Sequence, residues 1–187
     1  MDNRDSQELY KKILKQIVSN MDGASSIDCF HVAVSLSKNV ISFESIPQDL
    51  FYTLYLNSVR YIDDYNLSDL SYFFMLFSTP YVQEQIPRDF WTKTVEPQLL
   101  KALEDYTKYK ENINIELFLD DYIRCFMALS MTSLASEDIW DATSKIISRD
   151  LSHLNAHTIQ NFIYCLVRNR IRNQELWDKI VFIAVEK

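Results

Sequence analysis

The chain has 187 residues, 48% of them apolar, and a formal charge of −7. A length of this kind favours one domain, with a core large enough to need no covalent staples. The acidic balance repels phosphate on average and counts against nucleic acid as the principal partner. One glycine and four prolines all but exclude β-rich folds and phosphate-cradling loops, which depend on φ > 0, so the expected class is all-α.

Cys29, Cys125 and Cys165 are odd in number and far apart, which suits a reducing compartment and no disulfide framework. The longest apolar runs, Tyr72–Phe77 and Ile180–Val185, span six residues. A membrane helix needs about twenty, so no membrane span is expected. The opening Met1-Asp2-Asn3-Arg4-Asp5-Ser6 has the character of neither a secretory signal nor a transit peptide. Residues 1–121 hold 11 basic and 19 acidic side chains, and residues 122–187 hold 8 and 7, so the acidity is concentrated towards the N-terminus.

In chain order, a first helix is expected over about 6–21, ended by Gly23 in a left-handed C-cap. Four helix–turn–helix repeats follow, over roughly 25–65, 66–106, 107–150 and 151–187, all within a single domain, 1–187. Each repeat has a helix A carrying an apolar residue, two variable residues and Leu: Ala33…Leu36, Phe73…Leu76, Phe126…Leu129 and Ile163…Leu166. A helix B then opens on an acid, an apolar residue and an aromatic. The aromatics are Tyr10 in the first helix, then Phe51, Trp91, Trp140 and Trp177, spaced by 41, 40, 49 and 37 residues, with an insertion expected near Thr107–Asn114.

The acids face the positive end of the helix dipole, and Pro47, Pro87, Ser136 and Asn173 precede them as first-turn prolines or caps. Ser68 and Asn155 are the expected caps of the second and fourth A helices. Pro97 should kink the second B helix. The aromatics are expected in the core. Stacked hairpins of this kind form an α-solenoid, here about four repeats preceded by one extra helix.

The helix carrying Phe-x-x-Leu, followed by Glu-Leu-Trp at the head of the next, resembles the heptatricopeptide and octatricopeptide-type repeats of organellar proteins, the Fas-activated kinase-like and RAP-domain relatives. The resemblance is clearest over Leu151–Lys187, in Leu154-Asn155, Phe162-Ile163-Tyr164-Cys165-Leu166 and Gln174-Glu175-Leu176-Trp177. It implies a mitochondrial location and, often, RNA binding. The chain departs from it in being acidic and short and in lacking a recognisable RAP domain.

Catalytic patterns are missing. Cys29-x-His31 has no second pair at zinc-site spacing, His153 and His157 flank an expected cap, and neither nucleophile-elbow nor P-loop motifs occur. Asp63-Asp64 and Asp120-Asp121 read as solvated surface, since neighbours on a helix diverge by about 100°. No catalytic, cofactor or metal residue is assigned. The candidate anion or RNA site is Arg168, Arg170 and Arg172 with Lys145 and Arg149. In the last helix, Leu176, Ile180, Ile183 and Ala184 share one stripe, while Val181, Phe182 and Val185 point elsewhere and are the candidate partner-binding residues.

The expected function is a non-enzymatic scaffold or adaptor with protein partners, an accessory subunit of a larger assembly. By the resemblance, that assembly is mitochondrial; without it, the chain reads as a soluble intracellular protein. The alternative is an organellar RNA-binding repeat protein acting in RNA processing or the mitochondrial ribosome.

Overall fold

The structure is a computed structural model that describes residues 3–38 and 46–186; the side chains at 3–7, 10, 11 and 184–186 are outside the description. Every regular element among the described residues is helical, and they contain no strand. The chain divides into two compact units, Met1–Pro87 and Arg88–Lys187. The division falls inside the repeat read over 66–106, between its two helices.

The first unit holds α1 (Asn3–Asn20), α2 (Ser26–Lys38), α3 (Gln48–Arg60), α4 (Leu67–Phe77) and a single turn, α5 (Pro80–Gln83). Its core centres on Phe51, Leu54, Phe73 and Phe77, each 0% exposed. The second unit opens with one continuous helix: α6 (Arg88–Phe90), a π turn (Trp91–Val95) and α7 (Glu96–Tyr109). It continues with α8 (Ile115–Thr132), α9 (Glu137–Asp150), α10 (Ala156–Arg168) and α11 (Gln174–Glu186). Here Trp91, Tyr122, Phe126 and Phe162 are 0–1% exposed.

Side-chain caps start the A helices at regular intervals. Ser25 and Asp28 bond each other's backbone N–H groups at 3.2 and 3.0 Å, and Asn66 and Asp69 do the same at 3.0 and 3.3 Å. Asn114 accepts from Leu117 N at 3.1 Å and Asn155 from Thr158 N at 2.9 Å. These caps stand 41, 48 and 41 residues apart, each worth on the order of 1 kcal/mol. A 3₁₀ turn precedes each: Met21–Gly23, Ile62–Asp64, Lys110–Asn112 and Leu151–His153. The second cap is Asn66 rather than Ser68, because Asn66 has its reciprocal acid at the third helical position.

One other expectation is corrected. Gly23 does not adopt a left-handed conformation; Ser133 and Arg170 do, at φ 59° and 56°. The insertion expected near Thr107–Asn114 is accommodated by the second B helix, which runs on to Tyr109 before the 3₁₀ turn Lys110–Asn112. Within that helix Pro97 cannot donate to the preceding turn, and Glu96 N–H bonds Trp91 O five residues back. The helix therefore widens into a π turn just before the proline.

Of the five aromatics, Phe51, Trp91 and Trp140 are 0, 1 and 8% exposed, and Trp177 is half-buried. Tyr10 lies on α1, with its side chain outside the description. Trp140 meets the ring of Phe126 edge-on at 4.7 Å.

Candidate interaction surface

Helix α11 is apolar on more than one face, and the structure separates those faces. Asn173 caps it, accepting from Leu176 N at 3.1 Å. Leu176 and Ile180, four apart, are 2 and 1% exposed. Val181 and Phe182 are turned by roughly 100° and 200° from Ile180 and stand 57 and 64% exposed. Val185 continues that side in sequence, but its side chain is outside the description. The helix is held in register by Lys179, which donates to Ser148 Oγ of α9 at 2.8 Å and pairs with Glu175 at 2.8 Å. The Trp177 indole N–H donates to Ile171 O at 3.1 Å and closes the α10–α11 turn.

Aligning α9 and α11 on Trp140 and Trp177 places Val181 where α9 has Ser144, and Phe182 where α9 has Lys145. Ser144 and Lys145 line a groove of about 400 Å³ between α9 and α11, with Ser148, Leu176 and Lys179. Val181 is therefore on the side of α11 that, in α9, faces the following helix. Phe182 also rims a second groove of about 410 Å³, with Leu151, Lys179 and Ile183.

The five cations read as one basic site do not line one groove. Lys145 and Arg149 share theirs with Lys179, alongside Asp141 and Glu175. Arg168, Arg170 and Arg172 occupy the end of α10 and the turn after it; Arg168 donates to Met131 O at 3.0 Å, and all three are exposed. Arg149 is committed to Asp150, with Nε and Nη2 at 3.0 and 2.9 Å.

Asp150 was not singled out in the sequence. It is 2% exposed and also accepts from Tyr106 Oη at 3.0 Å and from Lys110. Burial pushes its pKa up, but the donors Arg149, Lys110 and Tyr106 outweigh that, and the carboxyl sits below the usual range. Tyr106, stacked on Phe118 at 4.4 Å, is pushed up to about 12, first by burial and then by its hydrogen bond to Asp150 and the charge there. The signal was present in α9: Thr143, Ile147 and Asp150 follow the helical period of its buried face.

Asp120 and Asp121 are not solvated surface. Both reach Arg124, Asp121 is 7% exposed, and Asp120 accepts from Thr158 Oγ1 at 2.7 Å. Their side chains diverge, but residues i+3 and i+4 share a neighbour, and Arg124 is that neighbour. Asp63 and Asp64 are exposed in a 3₁₀ turn. Cys29 is buried and His31 exposed, so the pair cannot chelate together in this arrangement. His153 lies in the turn before α10 and His157 on it. Cys125 and Cys165 are buried, with thiol pKa values raised by desolvation, in Cys165 to about 11. Among the described residues no three His, Cys, Asp or Glu side chains are placed to hold a metal ion, and no helix is long and apolar enough to cross a membrane. Comparison of the chain with protein-family models, curated proteins and solved structures found no match.

Proposed function

We propose that the chain is a non-catalytic helical-repeat scaffold that docks onto another protein through the outward side of α11, as an accessory subunit of a larger assembly. The observation that carries the reading is α11 itself. One helix buries Leu176 and Ile180 almost completely and leaves Val181 and Phe182 more than half exposed. Exposed apolar surface on a side of a helix left uncovered by its own chain is the kind that marks contact sites. The regular caps and 3₁₀ turns are in keeping with hairpins stacked as an α-solenoid, which presents extended binding surfaces. The resemblance to organellar repeats makes the proposed assembly mitochondrial. The exposed Arg168, Arg170 and Arg172 support organellar RNA binding as the second reading.

The test is native co-purification of the tagged chain with and without nuclease, read by mass spectrometry, for the wild type and for the double variant Val181→Asp, Phe182→Asp. A partner set that survives nuclease and is lost in the variant, with unchanged melting of the isolated chain, is expected. A set lost to nuclease alone supports RNA instead. Failure of the double variant to fold would place those side chains in the core and end the proposal for α11.

A further inference from the structure

Helices α8 and α10 can be aligned on Phe126-x-x-Leu129 and Ile163-x-x-Leu166. In that register every buried position of α10, from Thr158 opposite Asp121 to Leu166 opposite Leu129, falls on a buried position of α8. Helix α8 also buries Leu119, Ile123, Phe126 and Ser130, each 0% exposed. Their spacing of four, three and four residues makes one more helical stripe. It is the stripe that receives α10: the Phe126 and Phe162 rings are 6.5 Å apart, and Asn169 Nδ2 donates to Ser130 O at 3.3 Å. The corresponding stripe on α10 ends in Ile163 and Val167. Val167 is 62% exposed, Tyr164 beside it 46%, and Ile163 half-buried. Thus α10 repeats, on its free side, the place where α8 takes a helix.

The charge around this stripe is unlike the rest of the chain. Residues 151–174 contain no Asp or Glu, although the chain as a whole carries −7. The same stretch holds Arg168, Arg170 and Arg172, directly after Val167. The first carboxylate that follows, Glu175, is paired with Lys179. Arg168 is held in place by its bond to Met131 O, and Arg170 by a left-handed turn whose N–H donates to Val167 O at 3.1 Å.

We infer that the free side of α10 docks an acidic amphipathic helix of another protein, its apolar stripe on Ile163, Tyr164 and Val167 and its carboxylates on Arg168, Arg170 and Arg172. The apolar part matches the helix-in-groove mode of recognition, and the arginines supply the charge-assisted hydrogen bonds that carboxylates prefer. Nucleic acid fits less well: Tyr164 is the one aromatic of the stripe, Ile163 and Val167 on either side of it are aliphatic, and single-strand binding draws much of its energy from successive bases stacked on aromatic side chains. The inference rests on the scaffold reading but uses α10 where that reading uses α11.

The experiment is fluorescence anisotropy of the full chain with labelled synthetic probes. One is a helical peptide with Leu at i, i+3, i+4 and i+7 and Glu elsewhere. The others are its Lys counterpart with the same Leu stripe, a scrambled acidic peptide and an oligouridylate. Saturable binding of the acidic helix is expected, with the Lys and scrambled peptides weaker by about tenfold or more, as charge and register complementarity require. Val167→Glu should weaken it by about tenfold, and Arg170→Ala with Arg172→Ala should weaken it and flatten its salt dependence. Tyr164→Ser serves as a second variant, and Phe182→Asp should leave binding unchanged. Absence of saturable binding overturns the inference, as does equal binding of the Lys peptide or indifference to both Val167→Glu and Tyr164→Ser. Arginine-dependent binding of oligouridylate without peptide binding would overturn it in favour of RNA. Loss with Phe182→Asp alone would overturn the α10 site while leaving the scaffold reading intact.

Discussion

Replacing Asp150 by Asn tests the reading of the second unit most directly. The carboxylate is 2% exposed and receives Tyr106 Oη, Lys110 Nζ and the Arg149 guanidinium. Asn keeps the shape but removes the charge and turns an N–H₂ group towards donors. Breaking a fully buried ion pair costs about 3–5 kcal/mol. The Lys110 and Arg149 side chains are 31 and 45% exposed and can recover water, so the expected loss is smaller, about 2–3 kcal/mol at neutral pH. All three tryptophans, Trp91, Trp140 and Trp177, lie in the second unit, so urea unfolding followed by their fluorescence reports that unit. The pH dependence has a definite sign. The folded pKa of Asp150 is held below the ordinary carboxylate value by its donors, so its contribution is complete above the unfolded value and disappears as pH falls through the folded one. The wild type and Asp150→Asn should therefore converge in acid. A neutral-pH difference under about 1 kcal/mol, or one that persists undiminished in acid, would refute the argument that this carboxylate is charged and bound by its three donors.

Trp140→Ala should cost about 3–5 kcal/mol in the same assay, as removal of a large core side chain does; a loss under about 1 kcal/mol would show that Trp140 is not core. Asn155→Ala should cost about 1 kcal/mol by removing the cap of α10, and Asn155→Ser should restore most of it. Cys29, Cys125 and Cys165 are each 0% exposed, so a thiol reagent should react with all three only as fast as the chain unfolds; rapid native labelling would contradict the packing described. Phe182→Asp should change unfolding free energy by no more than about 0.5 kcal/mol, because the side chain is 64% exposed.

The helices were legible in the sequence because helix formation is local. The near absence of glycine, the caps Asn155, Ser136 and Asn173, and the period of three and four in Phe118–Ser130 all act within a turn or two of where they stand. The two-faced character of α11 could be read for the same reason, since Leu176 and Ile180 are separated from Val181 and Phe182 by helical geometry alone. What depends on distant partners could not be read. Lys145 and Arg149 were grouped with Arg168, Arg170 and Arg172 by charge, yet their groove is completed by Lys179, 34 residues after Lys145, because α11 packs along α9. Asp120-Asp121 looked like exposed surface until Thr158, from the neighbouring helix, and Arg124 enclosed it. Asp150 needed Tyr106 and Lys110, 44 and 40 residues earlier, before burying a carboxylate became affordable. Local spacing decides which faces a helix has. Only tertiary packing decides which of them is covered, and a buried charge is tolerated only where packing brings its counter-ions.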